Sequence, residues 1–285
     1  GPWGHATNST QKLGEVDFGA GAIIDLRLAQ LDWFDRHLKG LPGAAEHEAP
    51  VRIFVMGENQ WRDEQEFPLA RTRWQRYYLH SEGSANSRYG DGSLTTQPPL
   101  SEPADRYHYD PSRPYPFLTE PTSNQIGGPD DYAAVLRRDD VLFFATEPLT
   151  ADTEVTGPIQ LELFAASSTP DTDFTAMLLD VHPSGFIQRL CDGMVRARFR
   201  LGMDRPTLIE PGAVLPYTID LWYTSQVFRP GHRIAISIAS SAFPKFDRNL
   251  NTGEDLAASS RLATADQAVY HTAAYPSALI LPVID

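Results

Sequence analysis

The sequence is poor in several features that would assign it to a common class of protein. Cys191 is its single cysteine, so no disulfide can form within the chain. No base lies beside that thiol, so a small, half-buried apolar role is expected rather than a nucleophilic one. The 24 basic residues are outnumbered by 37 acidic ones, which leaves a net charge of −13. Nucleic acid and anionic membranes both require a positive surface, so neither is expected as a partner.

Long apolar runs and the common catalytic signatures are also missing. No segment approaches the ~20 apolar residues of a membrane helix. The first residues carry no basic stretch followed by an apolar run, so no signal peptide is expected at Gly1, and the sequence specifies no compartment. Gly-x-Ser-x-Gly, the strained turn that presents the serine of an α/β-hydrolase, does not occur, and neither does a zinc-type spacing of cysteine and histidine.

Sustained helical periodicity occurs in one stretch, AGAIIDLRLAQLDWFDRHLK, from Ala20 to Lys39. Its apolar face is broad, which predicts that the helix packs against something large. Gly40 and the proline two residues later predict the end of the helix, because glycine accepts a left-handed cap and proline cannot continue the helix.

From Val51 onward the apolar period changes to two, which predicts strands with one buried and one solvated face. The predicted strands include VRIFVMG, IQLEL, VRARFRL, YTIDLWY and RIAISI. In VRARFRL, the alternation predicts that Arg196, Arg198 and Arg200 lie on the solvated face with no binding role. Many short strands without intervening helices predict a β-sandwich, most simply a jelly roll with Greek-key connections. Residues 81–128 are rich in proline and glycine and are predicted to be loop.

The segment STPDTDFTAMLLDVHPSG brings Asp171, Asp173, Asp180 and His182 close together in sequence. Calcium would require several oxygen atoms converging from one loop. Asp171 and Asp173 share a turn while Asp180 lies one strand away, so turn chemistry is the preferred interpretation. No metal and no cofactor is predicted.

A second polar loop follows the strand RIAISI and contains Phe243, Phe246, Asn249 and Asn251. Asparagines that bond the backbone would make this loop a structured turn. Aromatic and amide side chains on a loop after a strand could equally form one wall of a substrate pocket. Both interpretations stay open from the sequence.

His5, in the opening GPWGH, is the candidate catalytic residue. A histidine can take a proton from a nucleophile and return it to a leaving group, because its pKa lies near neutrality. In α/β-hydrolases the histidine comes last of the triad, on a loop that precedes a closing helix. His5 followed by the Ala20 to Lys39 helix matches that order, and the alternative is an ordinary surface histidine.

Taken together, these segments resemble the X-prolyl dipeptidyl-peptidase and cocaine-esterase group of serine hydrolases. The resemblance runs through GPWGH, LDWFDRHLKG, PVRIFVMGENQWR, DRYHYDPSRPYP, EVTGPIQLELFAASSTPDTDFTAMLLDVHPSG and LWYTSQVFRPGHRIAISIASSAFPKFDRNLNTG. It implies that residues 1–45 are the C-terminal remnant of an α/β-hydrolase domain and that residues 46–285 are a galactose-binding-like jelly-roll β-sandwich. It also implies that His5 is the catalytic histidine.

The resemblance implies a small-molecule ester or amide substrate, cleaved by an esterase, an acylase or a dipeptidyl-peptidase. No position matches the serine or the aspartate of the family, so this chain is predicted to be inactive alone. The exposed helix would then contact either a second copy of the chain or the N-terminal hydrolase portion. Two alternatives stay open: a free-standing jelly-roll module that binds carbohydrate or a protein, and a subunit that completes an active site in trans.

Overall fold

The computed structural model describes residues 1–4, 10–41, 49–119, 128, 130–255 and 257–285. The described N-terminal part contains a short hairpin, a 3-10 turn and one α-helix. The hairpin joins β1 (Lys12–Leu13) to β2 (Val16–Asp17), and the 3-10 turn spans Ala20–Ala22. The helix, α1, spans Leu26–Lys39.

The predicted helix therefore starts six residues too early, at Ala20 instead of Leu26. Asp25 sets the start, because its carboxylate accepts hydrogen bonds from the backbone amides of Arg27 and Leu28 at 3.0 and 3.1 Å. Gly40 ends the helix in the left-handed conformation, with φ of 65°, as predicted. None of the described residues forms a helix that is long and apolar enough to cross a membrane.

The rest of the described chain is built from strands. They are β3 (Val51–Val55), β4 (Gln60–Glu64), β5 (Thr72–His80), β6 (Ser93–Thr95), β7 (Asp105–Tyr109), β8 (Leu142–Ala145), β9 (Thr153–Ser167), β10 (Asp173–Val181), β11 (Ile187–Arg196), β12 (Leu215–Phe228), β13 (Arg233–Ala239), β14 (Ala265–Tyr270) and β15 (Ala278–Ile284). Two 3-10 turns lie between them, at Val135–Arg137 and Ala197–Phe199.

The strands form a β-sandwich, which confirms the predicted fold class. Eleven strands are hydrogen-bonded in the order β11-β10-β13-β8-β6-β5-β15-β9-β14-β7, with β12 on the other edge of β9. The long β9 thus pairs antiparallel with β12, β14 and β15. Apolar side chains from β9, β12 and β15 meet those from β8, β10 and β13 in one core, so the two ends of the strand series form two facing layers. β3 and β4 form a separate hairpin.

The expectation of one wet face holds for IQLEL but is wrong for RIAISI. Residues from Ile234 through Ala239 are buried on both faces of β13. The outer face packs on a second core that includes Tyr115, Phe117 and Tyr132. A connecting segment therefore covers this layer, and the strands beneath it have become continuously apolar, as strands buried on both faces do.

Two further expectations need correction. The region 81–128, predicted to be loop, contains the strands β6 and β7. The stripe Arg196, Arg198 and Arg200 is not the solvated face of a strand, because β11 ends at Arg196 and a 3-10 turn follows. The division of the chain at residues 45 and 46 stays a prediction.

Candidate functional site

The four residues that precede His5 line an open cavity of about 710 Å³. Trp3 fixes this segment, because its indole Nε1 donates a hydrogen bond of 2.9 Å to the carbonyl of Ala22. Its ring packs on Trp61 of β4 with centroids 5.5 Å apart, and Trp61 donates to the carbonyl of Gly21 at 2.8 Å. His5 itself lies outside the described residues, so its catalytic role stays a prediction.

The cavity is bounded on the opposite side by the sandwich. Its walls combine large apolar side chains with the guanidinium groups of Arg52 and Arg189. Arg189 is paired with Asp192 at 3.0 Å and Arg52 with Asp63 at 3.4 Å, so the apolar walls are the main surface that the cavity offers to a ligand. The apolar walls include Phe18, Phe54, Met56, Phe67, Trp222 and Tyr223.

A bulge in β12 presents part of this wall. The pairing of β12 with β9 shifts register between Asp220 and Tyr223, and Trp222 has a φ of 74°. The Asp220 carboxylate holds the bulge by accepting the backbone amide of Trp222 at 2.8 Å. As a result the side chain of Trp222 is 69% exposed, and Tyr223 packs on Phe67 with centroids 5.7 Å apart. The sequence showed this strand as YTIDLWY, and a bulge was not expected there.

The polar loop after β13 is built as a structured turn. Asn249 is buried, and its side-chain amide donates hydrogen bonds of 2.9 Å to both Asp171 and Asp173. Asn251 is also buried and donates to the carbonyl of Ala263 at 2.7 Å, while its own backbone amide donates to the side chain of Asn249. Both asparagines therefore hold the loop in place through these bonds.

The two aromatic residues of the same loop are more accessible. Phe243 is 43% exposed, and Phe246 packs partly buried against the second core. The described lining of the 710 Å³ cavity includes neither of them, nor the two asparagines. A role for these four residues in a substrate pocket stays a prediction.

Two of the acids considered for a metal instead bind arginines. Arg196 contacts Asp173 through Nε at 2.8 Å, and Arg198 contacts Asp171 through Nε at 2.8 Å. Burial raises the pKa of Asp173, and the hydrogen bond from Arg196 opposes that shift. Arg196 and Arg198 therefore have a structural role inside the protein. The alternation of arginine with apolar residues had wrongly predicted that they face solvent.

Ser81, His271 and Glu102 form a contact that resembles a triad and was not expected from the sequence. Ser81 Oγ lies 3.3 Å from His271 Nε2, and His271 Nδ1 lies 3.1 Å from Glu102. However, Ser81 is buried and donates its proton to Asp105 at 2.7 Å, and His271 Nε2 also lies 2.8 Å from Asp105.

This cluster is structural rather than catalytic. Burial alone would lower the pKa of His271, but its contacts with Asp105 and Glu102 outweigh that effect and raise the pKa above 6.5. The Ser81 hydroxyl is buried and directs its proton to Asp105 rather than to His271, so it is not placed to attack a substrate. The cluster is therefore a buried ion pair that joins the end of β5 to β7 and β14.

The free energy of unfolding is expected to depend on pH through His271. Because its pKa is higher in the folded than in the unfolded chain, its contribution is complete below about pH 6.5 and is lost as the pH rises through the folded pKa. Urea unfolding of the chain between pH 6 and pH 9 measures this loss. In His271→Gln that component should vanish, whereas His108→Gln, which alters an exposed histidine, should retain it. Identical pH profiles for the chain and His271→Gln would contradict the assignment.

The structure brings together Asp180 and His182, as the sequence suggested, and adds His232. His232 Nδ1 lies 2.8 Å from Asp180 Oδ1, and His182 Nε2 lies 3.7 Å from Asp180 Oδ2. Burial raises the pKa of Asp180 and lowers that of His182. His232 was missed because it lies in a turn far along the chain. Cys191, in contrast, is buried rather than half-buried, and burial raises the pKa of its thiol, which disfavours the reactive thiolate.

Comparisons with known proteins bear on the whole chain. Residues 42–280 match the family described as the X-Pro dipeptidyl-peptidase C-terminal non-catalytic domain. The chain is 43% identical to cocaine esterase from Rhodococcus sp. (strain MB1 Bresler), over 100% of this chain and 50% of that protein.

Two solved structures share the fold. An aminopeptidase from the marine sediment archaeon Thaumarchaeota archaeon has a TM-score of 0.83 at 28% identity, over 96% of this chain and 47% of its own. An α-amino acid ester hydrolase has a TM-score of 0.75 at 28% identity, over 88% of this chain and 44% of its own. The chain thus spans about half the length of these relatives.

Proposed function

The chain belongs to the family of X-Pro dipeptidyl-peptidase C-terminal non-catalytic domains, and from this we propose that it is the C-terminal part of a serine hydrolase that cleaves ester or amide bonds. The observation that carries the proposal is the 43% identity to an esterase along the whole chain. Because that similarity extends over half of the relative, the serine and the acid of the triad are assigned to a portion that this chain does not contain.

His5 is the residue that this chain contributes to the chemistry. As general base it takes the proton of the serine hydroxyl while the serine oxygen attacks the carbonyl carbon of the substrate. As general acid it then gives that proton to the leaving alcohol or amine. Water repeats the two steps and releases the acid. Trp3, two residues earlier in the chain, is held by its hydrogen bond to Ala22 and its contact with Trp61.

The surface of α1 supports docking to the remainder of a hydrolase. None of its residues is buried, and its apolar side chains form an exposed face. Leu28 is 62% exposed, Leu31 54% and Leu38 75%. An apolar face of this kind normally marks an interface in a soluble protein. We assign it to the missing hydrolase portion, with a second copy of the chain as the alternative occupant.

Hydrolysis of p-nitrophenyl esters by the purified chain tests the assignment of the triad. We expect no turnover above the buffer rate, because the nucleophile and the oxyanion donors that sustain residual catalysis are assigned to another portion. His5→Ala serves as the matched control and should give the same background. Turnover by the chain that disappears in His5→Ala would overturn the proposal, since the chain would then contain its own nucleophile.

A second candidate function, a carbohydrate-binding module, is favoured by the bulge in β12. Trp222 and Tyr223 are 69% and 51% exposed beside the cavity, and aromatic rings of this kind can stack on sugars. Titration with a panel of oligosaccharides, followed by tryptophan fluorescence, distinguishes the two functions. Saturable binding that Trp222→Ala abolishes would support the module, and a flat response across the panel would count against it.

A further inference from the structure

Three side chains that bind metals well converge at one end of the sandwich. Asp180 lies near the end of β10, His182 follows that strand directly, and His232 lies in the turn before β13. One donor atom from each residue can be chosen so that all three atoms lie within 4.8 Å of one another. The rings of His182 and His232 are in contact, with centroids 4.3 Å apart and planes inclined at 41°. This is a site of two imidazoles and one carboxylate.

The strands hold the carboxylate of this cluster firmly. Asp180 is fully buried and is paired on one side with Gln188 of β11 and on the other with Ile234 of β13. Gln226 of β12 donates a hydrogen bond of 3.1 Å to Asp180 Oδ2, and Gln188 Oε1 lies 3.3 Å from His182 Nε2. The bond from Gln226 is an outer contact of the kind that orients the ligands of natural metal sites, whereas the contact of Gln188 is made to the His182 nitrogen that faces Asp180. The cluster therefore has both the donors and the support that a metal site requires.

The cluster also has an open side. His182 lines a cavity of about 610 Å³ together with Glu15 and Asp131. Asp131 keeps its place by accepting the backbone amides of Ala133 and Ile187 at 2.9 and 3.0 Å. The entrance thus carries acidic side chains, which favour the approach of a cation.

We propose that Asp180, His182 and His232 bind one divalent transition-metal ion of the zinc class, with a fourth position open to water from the cavity. Zinc takes imidazole nitrogen and carboxylate oxygen at about 2.0–2.2 Å, and three protein ligands with one open position is a common arrangement. Tetrahedral ligands at those lengths stand about 3.4 Å apart. His232 Nδ1 must therefore move away from Asp180 Oδ1, from which it is now 2.8 Å distant.

The binding step is balanced within the site. The proton that joins Nδ1 of His232 to Asp180 moves to Nε2 of the same ring or leaves to solvent, and the freed lone pair of Nδ1 binds the metal. When His182 binds through Nε2, the proton that this nitrogen shares with Gln188 Oε1 likewise moves to Nδ1 or leaves to solvent. The sequence predicted no metal. That prediction considered Asp180 together with Asp171 and Asp173, and it did not include His232. The proposal is independent of the proposed hydrolase function, because it uses none of the residues assigned to that chemistry.

Calorimetric titration of the tag-free, chelator-treated chain with ZnCl₂ tests the site. We expect one Zn²⁺ per chain and a rise in melting temperature with zinc concentration, since a ligand that binds the folded state stabilises it. Co²⁺ in place of Zn²⁺ should give the visible absorption of a four-coordinate ion. His182→Phe should weaken zinc binding at least ~10-fold, because even loss of an outer contact costs about that much.

His182 is the ligand whose replacement is least expected to disturb folding. The side chain of His182 is 27% exposed, so His182→Phe should fold even where a substitution of the buried Asp180 does not. His108→Ala is the matched control, because it removes a different histidine-carboxylate contact, that of His108 with Asp266 on the surface. Unchanged affinity in His182→Phe, equal losses in both variants, or no zinc binding by the chain would overturn the proposal and leave Asp180 and His232 as a structural pair.

Discussion

Asp105→Ala is expected to lower the free energy of unfolding by about 3–5 kcal/mol, the cost of removing one member of a buried ion pair. Asp105 is fully buried and accepts hydrogen bonds from three donors. They are the Ser81 hydroxyl at 2.7 Å, the Ala85 backbone amide at 2.8 Å and His271 Nε2 at 2.8 Å. Alanine would leave all three without their acceptor in the core, and urea unfolding at pH 6 measures the loss.

Asp266→Ala is the matched control for this experiment. Asp266 also pairs with a histidine, His108, at 2.8 Å, but both side chains are mostly exposed. Exposed ion pairs are worth roughly 0–1 kcal/mol, so this variant should stay close to the parent chain. Similar losses in Asp105→Ala and Asp266→Ala would contradict the view that burial makes the Asp105 cluster important.

Gly193→Ala is expected to destabilise the sandwich by about 3 kcal/mol, at the upper end of overpacking effects. A Cβ at Gly193 of β11 would lie 1.9 Å from the carbonyl oxygen of Asp220 and 3.2 Å from the Cα of Leu221 in β12. These atoms are backbone, so the clash can be relieved only by moving one strand away from the other. β11 and β12 are in contact without pairing, and Gly193 is a position where their backbones approach each other closely.

Gly21→Ala provides the comparison, because a Cβ there meets no atom within 4 Å. Its free energy of unfolding should stay within about 0.5 kcal/mol of the parent value. Chemical denaturation of both variants under one set of conditions measures the difference. A Gly193→Ala variant as stable as Gly21→Ala would show that β11 and β12 can move apart at this point without a loss of stability.

Local pattern was sufficient to predict much of the fold. The alternation in VRIFV predicted β3, and the change from helical to strand periodicity predicted a sandwich preceded by a helix. The exact start of α1 depended on a cap at Asp25 rather than on apolar spacing. Burial on both faces of β13 depends on a segment more than a hundred residues earlier in the chain. The local pattern of apolar residues could not predict that contact.

The same limit applies to the candidate sites. His5 was predicted from chain order and from the resemblance. The cavity lined by residues 1–4 could not be predicted, because its walls come from the N-terminal segment, the β3–β4 hairpin and a bulge in β12. Ser81 and His271 stand 190 positions apart in sequence. Arg196 and Arg198 were predicted to face solvent, because their partners, Asp173 and Asp171, lie in a different strand and turn and could not be identified from the local sequence. In each case the site is formed by residues that are far apart in the sequence.

The central position of β15 has a consequence for how the protein is made. Residues Ala278–Ile284 lie between β5 and β9, two hundred positions away from the first of these partners along the chain. During synthesis the edges of β5 and β9 that pair with β15 therefore stay unpaired until β15 has been translated. Contacts of such high order slow folding and prolong the exposure of unpaired edges. The order of translation therefore adds a delay to folding that the stability of the finished sandwich does not describe.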